Sequence, residues 1–558
     1  MARYVIIGGV AGGATAAARL RRLDEKAEIL LLERGEFVSF ANCGLPYFIG
    51  GAISRREKLF LQTPQGFKSR FNIEVKVRSE AVGIDAAGKT VEVKDLASGT
   101  VSRIPYDALV LSPGAEPVKP RLPGVDDPAI FTVRTVPDAD AIMRHIEAAS
   151  AQSAVVVGAG FIGLEMAESL TKRGITVTLV EALDQVLPAL DYEMAAAIQG
   201  TLRSNGVALR LGGRVEGFAR KDGKLAVRLA GGVELPADLV VLSIGVKPEI
   251  GLAKQAGLAI GPAGGIVVKG FLQTSDPHIY ATGDAIEFPS PITGKSATAF
   301  LAGPANRQGR IAADNIVLGN RRSYTGSIGT AIVRVFDLSA GICGVSEKGL
   351  AQAGIPHRVV LIHGNSHAGY YPDHKPIAIK ILFAPDTGML LGAQAVGADG
   401  VDKRIDLLSL VIKKRGSIHD LAELEHAYAP QFSSARDPVM VAGFAAENAL
   451  AGLMNPVAWK DVPAFSAAGC RLLDVRSPKE FAAGTIPGAL NIPVDELRGR
   501  LDELERKAPV MTFCAMGLRS YVAARVLMQS GFSDVTCLSG GYTTYSQAMR
   551  ERGQLSTE

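Results

Sequence analysis

Cysteine is scarce in this chain, and so is any excess of charge of one sign. Five cysteines in 558 residues (Cys43, Cys343, Cys470, Cys514, Cys537) are too few and too scattered for a disulfide framework. They imply a reducing compartment, the cytoplasm, with one or two working thiols. Lys+Arg 60 against Asp+Glu 56 leaves a net charge of +4, so bulk charge argues for neither a nucleic-acid nor a membrane partner. No uncharged apolar run reaches the ~20 residues that a spanning helix needs. The uncharged run 4–18 holds four glycines, has no leucine-rich centre and leads directly into Arg19, Arg21 and Arg22, so it reads as strand, turn and helix rather than as a signal peptide. With 47% hydrophobic and 21% charged residues, the chain is expected to be soluble and globular, with roughly three to four domains.

What is present in quantity is glycine at strand ends. Tyr4-Val5-Ile6-Ile7 runs into Gly8, Gly9, Val10, Ala11, Gly12 and Gly13 and an alanine-rich helix; Ile29-Leu30-Leu31-Leu32 follows, ending at Glu33. Ala154-Val155-Val156-Val157 repeats the pattern with Gly158, Ala159, Gly160, Phe161, Ile162 and Gly163, a helix from Leu164, then Val177-Thr178-Leu179-Val180 and Glu181. Each is a βαβ unit whose turn admits a pyrophosphate at a helix N-terminus, with an acidic residue about twenty positions on for ribose hydroxyls. The first copy departs from the motif at Val10, where the middle glycine belongs. Glu181 would repel a 2′-phosphate and no arginine follows it immediately, which favours NADH over NADPH.

A third apolar strand ends at Thr282-Gly283-Asp284, and Leu109-Val110-Leu111-Ser112-Pro113-Gly114 makes a similar exit. With the two turns, these strings resemble the two-dinucleotide-binding flavoprotein disulfide reductases over about residues 1–450. The resemblance places FAD on the first turn, with Asp284 at its ribityl chain, and NADH on the second.

Ser39-Phe40-Ala41-Asn42-Cys43-Gly44-Leu45-Pro46-Tyr47 follows the second strand of the first unit, and no second cysteine occurs before position 343. Cys43 therefore cannot close a local disulfide. A helix start near Gly44 and an adjacent flavin are expected to lower its pKa. The string is similar to that of the single-cysteine branch: coenzyme A disulfide reductases, NADH-dependent persulfide reductases, and NADH oxidases and peroxidases. In the first two the cysteine rests as a mixed disulfide with CoA; in the others it cycles through sulfenic acid. The resemblance assigns CoA contacts to Thr15, Arg19, Arg22, Ser39 and Asn42, and more weakly to Asn306 and Arg307. It implies a homodimer in which tyrosines of the partner subunit assist the departing sulfur; Tyr428 matches that pattern and Tyr370 is preferred to Tyr371 as the second. Such tyrosines favour thiol over peroxide chemistry. His363 and His367 have helical metal spacing, but Gly364, Gly369 and Pro372 break the helix, so no metal is expected.

After residue 448 the composition changes. The strings at 472–481, 484–493, 514–520 and 538–542 resemble a rhodanese domain, in which a loop from Cys514 to Arg519 stabilises a thiolate or persulfide with inward N–H groups. Arg519 would orient the loop and attract anionic sulfur donors; Asp474 and Arg476 would pin the fold. Cys343, Cys470 and Cys537 read as small packed side chains. The expected architecture is α/β: an FAD domain (1–115 and 247–325), an NAD(P)H domain (116–246), an α+β dimerisation domain (326–450) and a C-terminal α/β rhodanese domain (455–558). The implied activity is NADH-driven reduction of CoA persulfide or polysulfide through Cys43, with Cys514 carrying sulfane sulfur. Coenzyme A disulfide reductase and NADH oxidase or peroxidase are the alternatives. A redox-sensing partner protein built on an inactive reductase is disfavoured by the intact turns and both thiols.

Overall fold

The computed structural model describes residues 1–221 and 223–555. The chain divides into two compact units: residues 1–184 with 206–327, and residues 185–205 with those from 328 onward.

In the first unit a parallel sheet runs in the order Ile279–Ala281, Ala108–Leu111, Arg3–Ile7, Glu28–Leu32, Glu74–Lys76. Its central strands are apolar and buried on both faces, as strands sandwiched between helices must be. Ile7 pairs with both Leu32 and Leu111, and Leu111 with Ala281. This register delivers Gly8, Glu33, Ser112 and Thr282 to one sheet edge. There the glycines are sterically required. Gly8 has φ +97°, and a Cβ would fall 2.0 Å from Ser112 O; at Gly13 it would fall 1.9 Å from Gly8 O. A second parallel sheet runs Ala208–Leu211, Thr176–Glu181, Ser153–Val157, Leu239–Leu242, Ile130–Phe131 and repeats the logic at Gly158 and Gly163. Its helix is Phe161–Lys172, three residues longer at the start than the sequence suggests, because Gly160 adopts an extended cap conformation and closes the turn at once. A Cβ at Gly160 would meet no atom within 4 Å. The fold itself makes no steric demand there, which accounts for Val10 at the matching place of the first turn.

The second unit contains an antiparallel sheet ordered Ala331–Val335, Leu338–Gly344, Leu390–Gly397, Pro376–Phe383, Arg358–Asn365. A parallel sheet follows in the order Pro456–Val457, Val535–Leu538, Val510–Phe513, Arg471–Asp474, Leu490–Asn491. Polar contacts tie the two together. Leu361 N–H donates to Ser539 Oγ at 2.9 Å, and His363 Nε2 lies 2.8 Å from Thr544 Oγ1. The Lys380 ammonium, fully buried, sits 2.8, 2.5 and 2.7 Å from Asp191, Glu193 and Glu347. Lys460 and Trp459, from the start of the last module, complete the cluster at Glu347 and Glu193. The three carboxylates are grouped closely enough for a cation, and Lys380 supplies it. No described helix is long and apolar enough to cross a membrane.

Candidate active sites

Cys43 lies in the short turn Asn42–Gly44, just before the helix Leu45–Ile49. The loop is anchored to the first glycine turn, because Ser39, in a left-handed conformation, donates its N–H to Gly9 O at 2.7 Å. Asn42 Oδ1 accepts from the Cys43 N–H at 3.0 Å and from the thiol at 3.6 Å. The sulfur is accessible to solvent and has no cysteine partner. Its electrostatics depart from expectation. Desolvation by the surrounding protein pushes the thiol pKa above its ordinary value, and the charges of Glu165 and Asp284 push the same way. A backbone hydrogen bond works in the opposite direction but does not prevail, and the helix after the thiol is only five residues long.

The edge beside this loop fits a dinucleotide. Thr282 is fully buried, yet its Oγ1 has no hydrogen-bond partner, and both it and Ser112 Oγ would lie 2.8 Å from a Cβ at Gly12. Polar atoms therefore converge on the first glycine turn, the kind of lining a pyrophosphate needs. Asp284 is pushed up to about 6 by burial, with Arg134 partly offsetting it. Glu33 and Glu181 have a role that spacing alone does not reveal. Glu33 accepts from the N–H groups of Gly9 (2.9 Å) and Gly35 (2.8 Å); Glu181 accepts from those of Ala159 (2.8 Å) and Leu183 (3.0 Å). Each carboxylate thus holds its own glycine turn in shape.

The residues assigned to CoA separate into groups. Thr15 and Asn306 meet at 2.6 Å between their side-chain oxygens, Ser39 and Asn42 flank the thiol, and Arg22 is exposed. Arg19 is committed to Asp314 at 2.6 Å, a carboxylate shared with Arg322, and Arg307 stacks on Tyr324. Tyr47, the last residue of the thiol string, and Glu165, which no motif marks, join at 2.9 Å between the thiol helix and the helix of the second glycine turn.

In the second unit the exposed Tyr370 and Tyr428 hydroxyls are 2.8 Å apart, whereas Tyr371 makes an edge contact with His367. His363 is on a strand and His367 just beyond it, so they share no helix. Cys514, 2% exposed, begins a tight loop. Gly517, at φ +123°, turns its N–H onto Cys514 Sγ at 3.1 Å, and Ser520 Oγ is 3.7 Å away. The loop is propped from behind by Gly541, where a Cβ would fall 2.5 Å from Cys514 O, and by the Tyr542 N–H donating to that oxygen. Asp474 and Arg476 form a buried bidentate pair. Arg519 gives both terminal nitrogens to Glu480 at 2.7 Å, in a bidentate pair that is partly exposed to solvent.

Two dinucleotide turns beside a solitary thiol, joined to a second cysteine cradled by its own loop, define a two-site thiol oxidoreductase. The chain belongs to the pyridine nucleotide-disulphide oxidoreductase family, whose model matches residues 2–308. The family's dimerisation domain matches 330–439 and a rhodanese-like domain matches 460–548. It is similar to the reduced CoADR-RHD of Bacillus anthracis: 46% identity, 99% of this chain and 98% of that one covered, TM-score 0.96. It is also similar to a NAD-dependent persulfide reductase from A. fulgidus: 39% identity, 97% and 100% covered, TM-score 0.91. Curated relatives include a coenzyme A disulfide reductase of Staphylococcus haemolyticus (34% identity over 80% of this chain and all of the relative) and an NADH oxidase of Methanocaldococcus jannaschii (36% over 81% of this chain and all of the relative). FAD and NADH are the cofactors of this family.

Proposed function

We propose that this chain reduces sulfane sulfur at the expense of NADH, taking CoA persulfide or polysulfide at Cys43 and carrying persulfide sulfur on Cys514. The observation that supports it most is the solitary accessible thiol tied to the flavin-type turn, in a chain that also builds a sulfur-cradling loop. Bound FAD would pass two electrons from NADH to the disulfide at Cys43. The residues of this chain do the rest. Gly8, Gly12, Gly13 and Thr282 would seat the FAD pyrophosphate, Asp284 its ribityl chain, and Gly158, Gly160 and Gly163 the NADH. Thr15, Asn306, Ser39 and Asn42 would hold the pantetheine and phosphates of CoA. The Cys43 thiolate attacks the CoA-side sulfur of a CoA persulfide, the sulfur–sulfur bond breaks, and hydrosulfide leaves as the Cys43–CoA disulfide forms. With CoA disulfide the same attack expels a CoA thiolate. In the homodimer that we infer, the Tyr370–Tyr428 pair of the partner subunit protonates the departing sulfur, in keeping with hydroxyls that are exposed and share one hydrogen bond. A cytoplasmic enzyme is in keeping with cysteines that are all free.

Mass analysis of the purified protein should find CoA disulfide-bonded to Cys43, and NADH consumption should be faster with CoA persulfide than with CoA disulfide. The similarity to an NADH oxidase supports a second reading: rapid NADH consumption with O₂ or peroxide alone, with a Cys43 sulfenate trapped by dimedone, would select it.

A further inference from the structure

The charge around Cys514 bears on which sulfur donor it meets. Arg519, besides pairing with Glu480, interacts with the Cys514 thiol, and a cation there favours thiosulfate, because that donor arrives as a dianion and sulfite leaves as one. In this chain that cation is already matched. Both Arg519 terminal nitrogens are held by Glu480 at 2.7 Å in a bidentate pair. Glu480 is fixed from the other side by Ser477, whose N–H and hydroxyl donate to Oε2 at 3.0 and 2.9 Å. Another arginine of the module, Arg476, is bound by Asp474 in the same bidentate manner. The rim of the loop is apolar: Met516 is 53% exposed and Leu518, which opens the following helix, 74%.

We propose that Glu480 sets the donor specificity of Cys514, cancelling Arg519 so that the site takes sulfur from alkyl persulfides with an uncharged arm in preference to thiosulfate. This rests on the reading of Cys514 as the sulfur-carrying thiol. In the favoured reaction the Cys514 thiolate attacks the outer sulfur of R–S–SH, the S–S bond breaks, R–S⁻ leaves with the electron pair, and Cys514–S–SH forms. With thiosulfate the same attack yields a Cys514 persulfide anion and sulfite. The alkyl donor brings at most one negative charge to a pair whose net charge is zero, whereas thiosulfate brings two. The apolar rim suits the arm of the first and offers nothing to the second.

The test incubates the full-length holoenzyme, without NADH, with pantetheine persulfide or with thiosulfate, and measures the rate at which one sulfur atom is added to the Cys514 peptide. The wild type should prefer pantetheine persulfide. Glu480→Gln should shift that preference toward thiosulfate by about tenfold, corresponding to about 1.4 kcal/mol, mainly through a lower KM for thiosulfate. Ser477→Ala, which removes the hydroxyl bond to Glu480 but keeps the Glu480 charge, should leave the donor ratio unchanged. Because the ratio compares two donors on one protein, partial misfolding of a variant cancels. An equal ratio in wild type and Glu480→Gln, or a shift in Ser477→Ala as large as in Glu480→Gln, overturns the proposal. If neither donor adds sulfur to Cys514, the underlying reading of that thiol fails, and the proposal fails with it.

Discussion

Tyr47 donates its hydroxyl hydrogen to Glu165 at 2.9 Å, tying the helix that follows Cys43 to the helix that follows the second glycine turn. Burial and the Glu165 charge push the Tyr47 pKa up, so the phenol keeps its proton; burial also raises Glu165. Glu165 in turn raises Cys43. The pair therefore links the charge state of the thiol to a group on the neighbouring nucleotide-binding layer.

Removing that charge should change the thiol. Glu165→Gln is expected to lower the Cys43 pKa, so the pH profile of iodoacetamide alkylation in the reduced enzyme should move to lower pH. An unmoved profile would show that the carboxylate does not act on the sulfur.

Cys43→Ser should abolish NADH-driven reduction of every sulfur substrate while the protein keeps its yellow flavin. Steady-state assays with a visible spectrum decide it, and full turnover in the variant would refute the assignment.

For Cys514→Ser, sulfur transfer to cyanide should vanish while reduction of small soluble substrates at Cys43 continues at the wild-type rate. Joint loss of both in a folded protein would mean that the thiols are not separable stations.

The Lys380 cluster is structural. Lys380→Met leaves Asp191, Glu193 and Glu347 without their shared counter-ion, and should destabilise the C-terminal unit by about 3–5 kcal/mol, read as a lower Tm by calorimetry. In the wild type the nearby Lys380 and Lys460 ammonium groups hold Glu347 down to about 2. Its contribution is thus present above the ordinary carboxylate range and is lost as pH falls through that range toward about 2. The variant should show a weaker acid dependence.

Much of the active-site framework is legible in the sequence because it consists of backbone demands. Gly8, Gly13, Gly158 and Gly163 sit where a Cβ would strike a carbonyl or a neighbouring strand exit, so only one residue type serves and the pattern is visible as letters. The same holds for the Cys514 loop and the glycine behind it. What is not legible is pairing at long range. That Arg19 is bound by Asp314, that Arg519 is cancelled by Glu480 and that Tyr47 finds Glu165 depends on partners 39 to 295 positions away. An arginine looks the same in a string whether it is free or matched.

By itself, the order of residues determined that two dinucleotide turns, one unpaired thiol and one sulfur-cradling loop exist, since each is built from contiguous residues under local steric rules. Only the tertiary structure decided the charge those thiols feel. Electrostatic energy depends on distance and burial, and the carboxylates that raise Cys43 and the one that pairs with Arg519 come near only when the chain is folded.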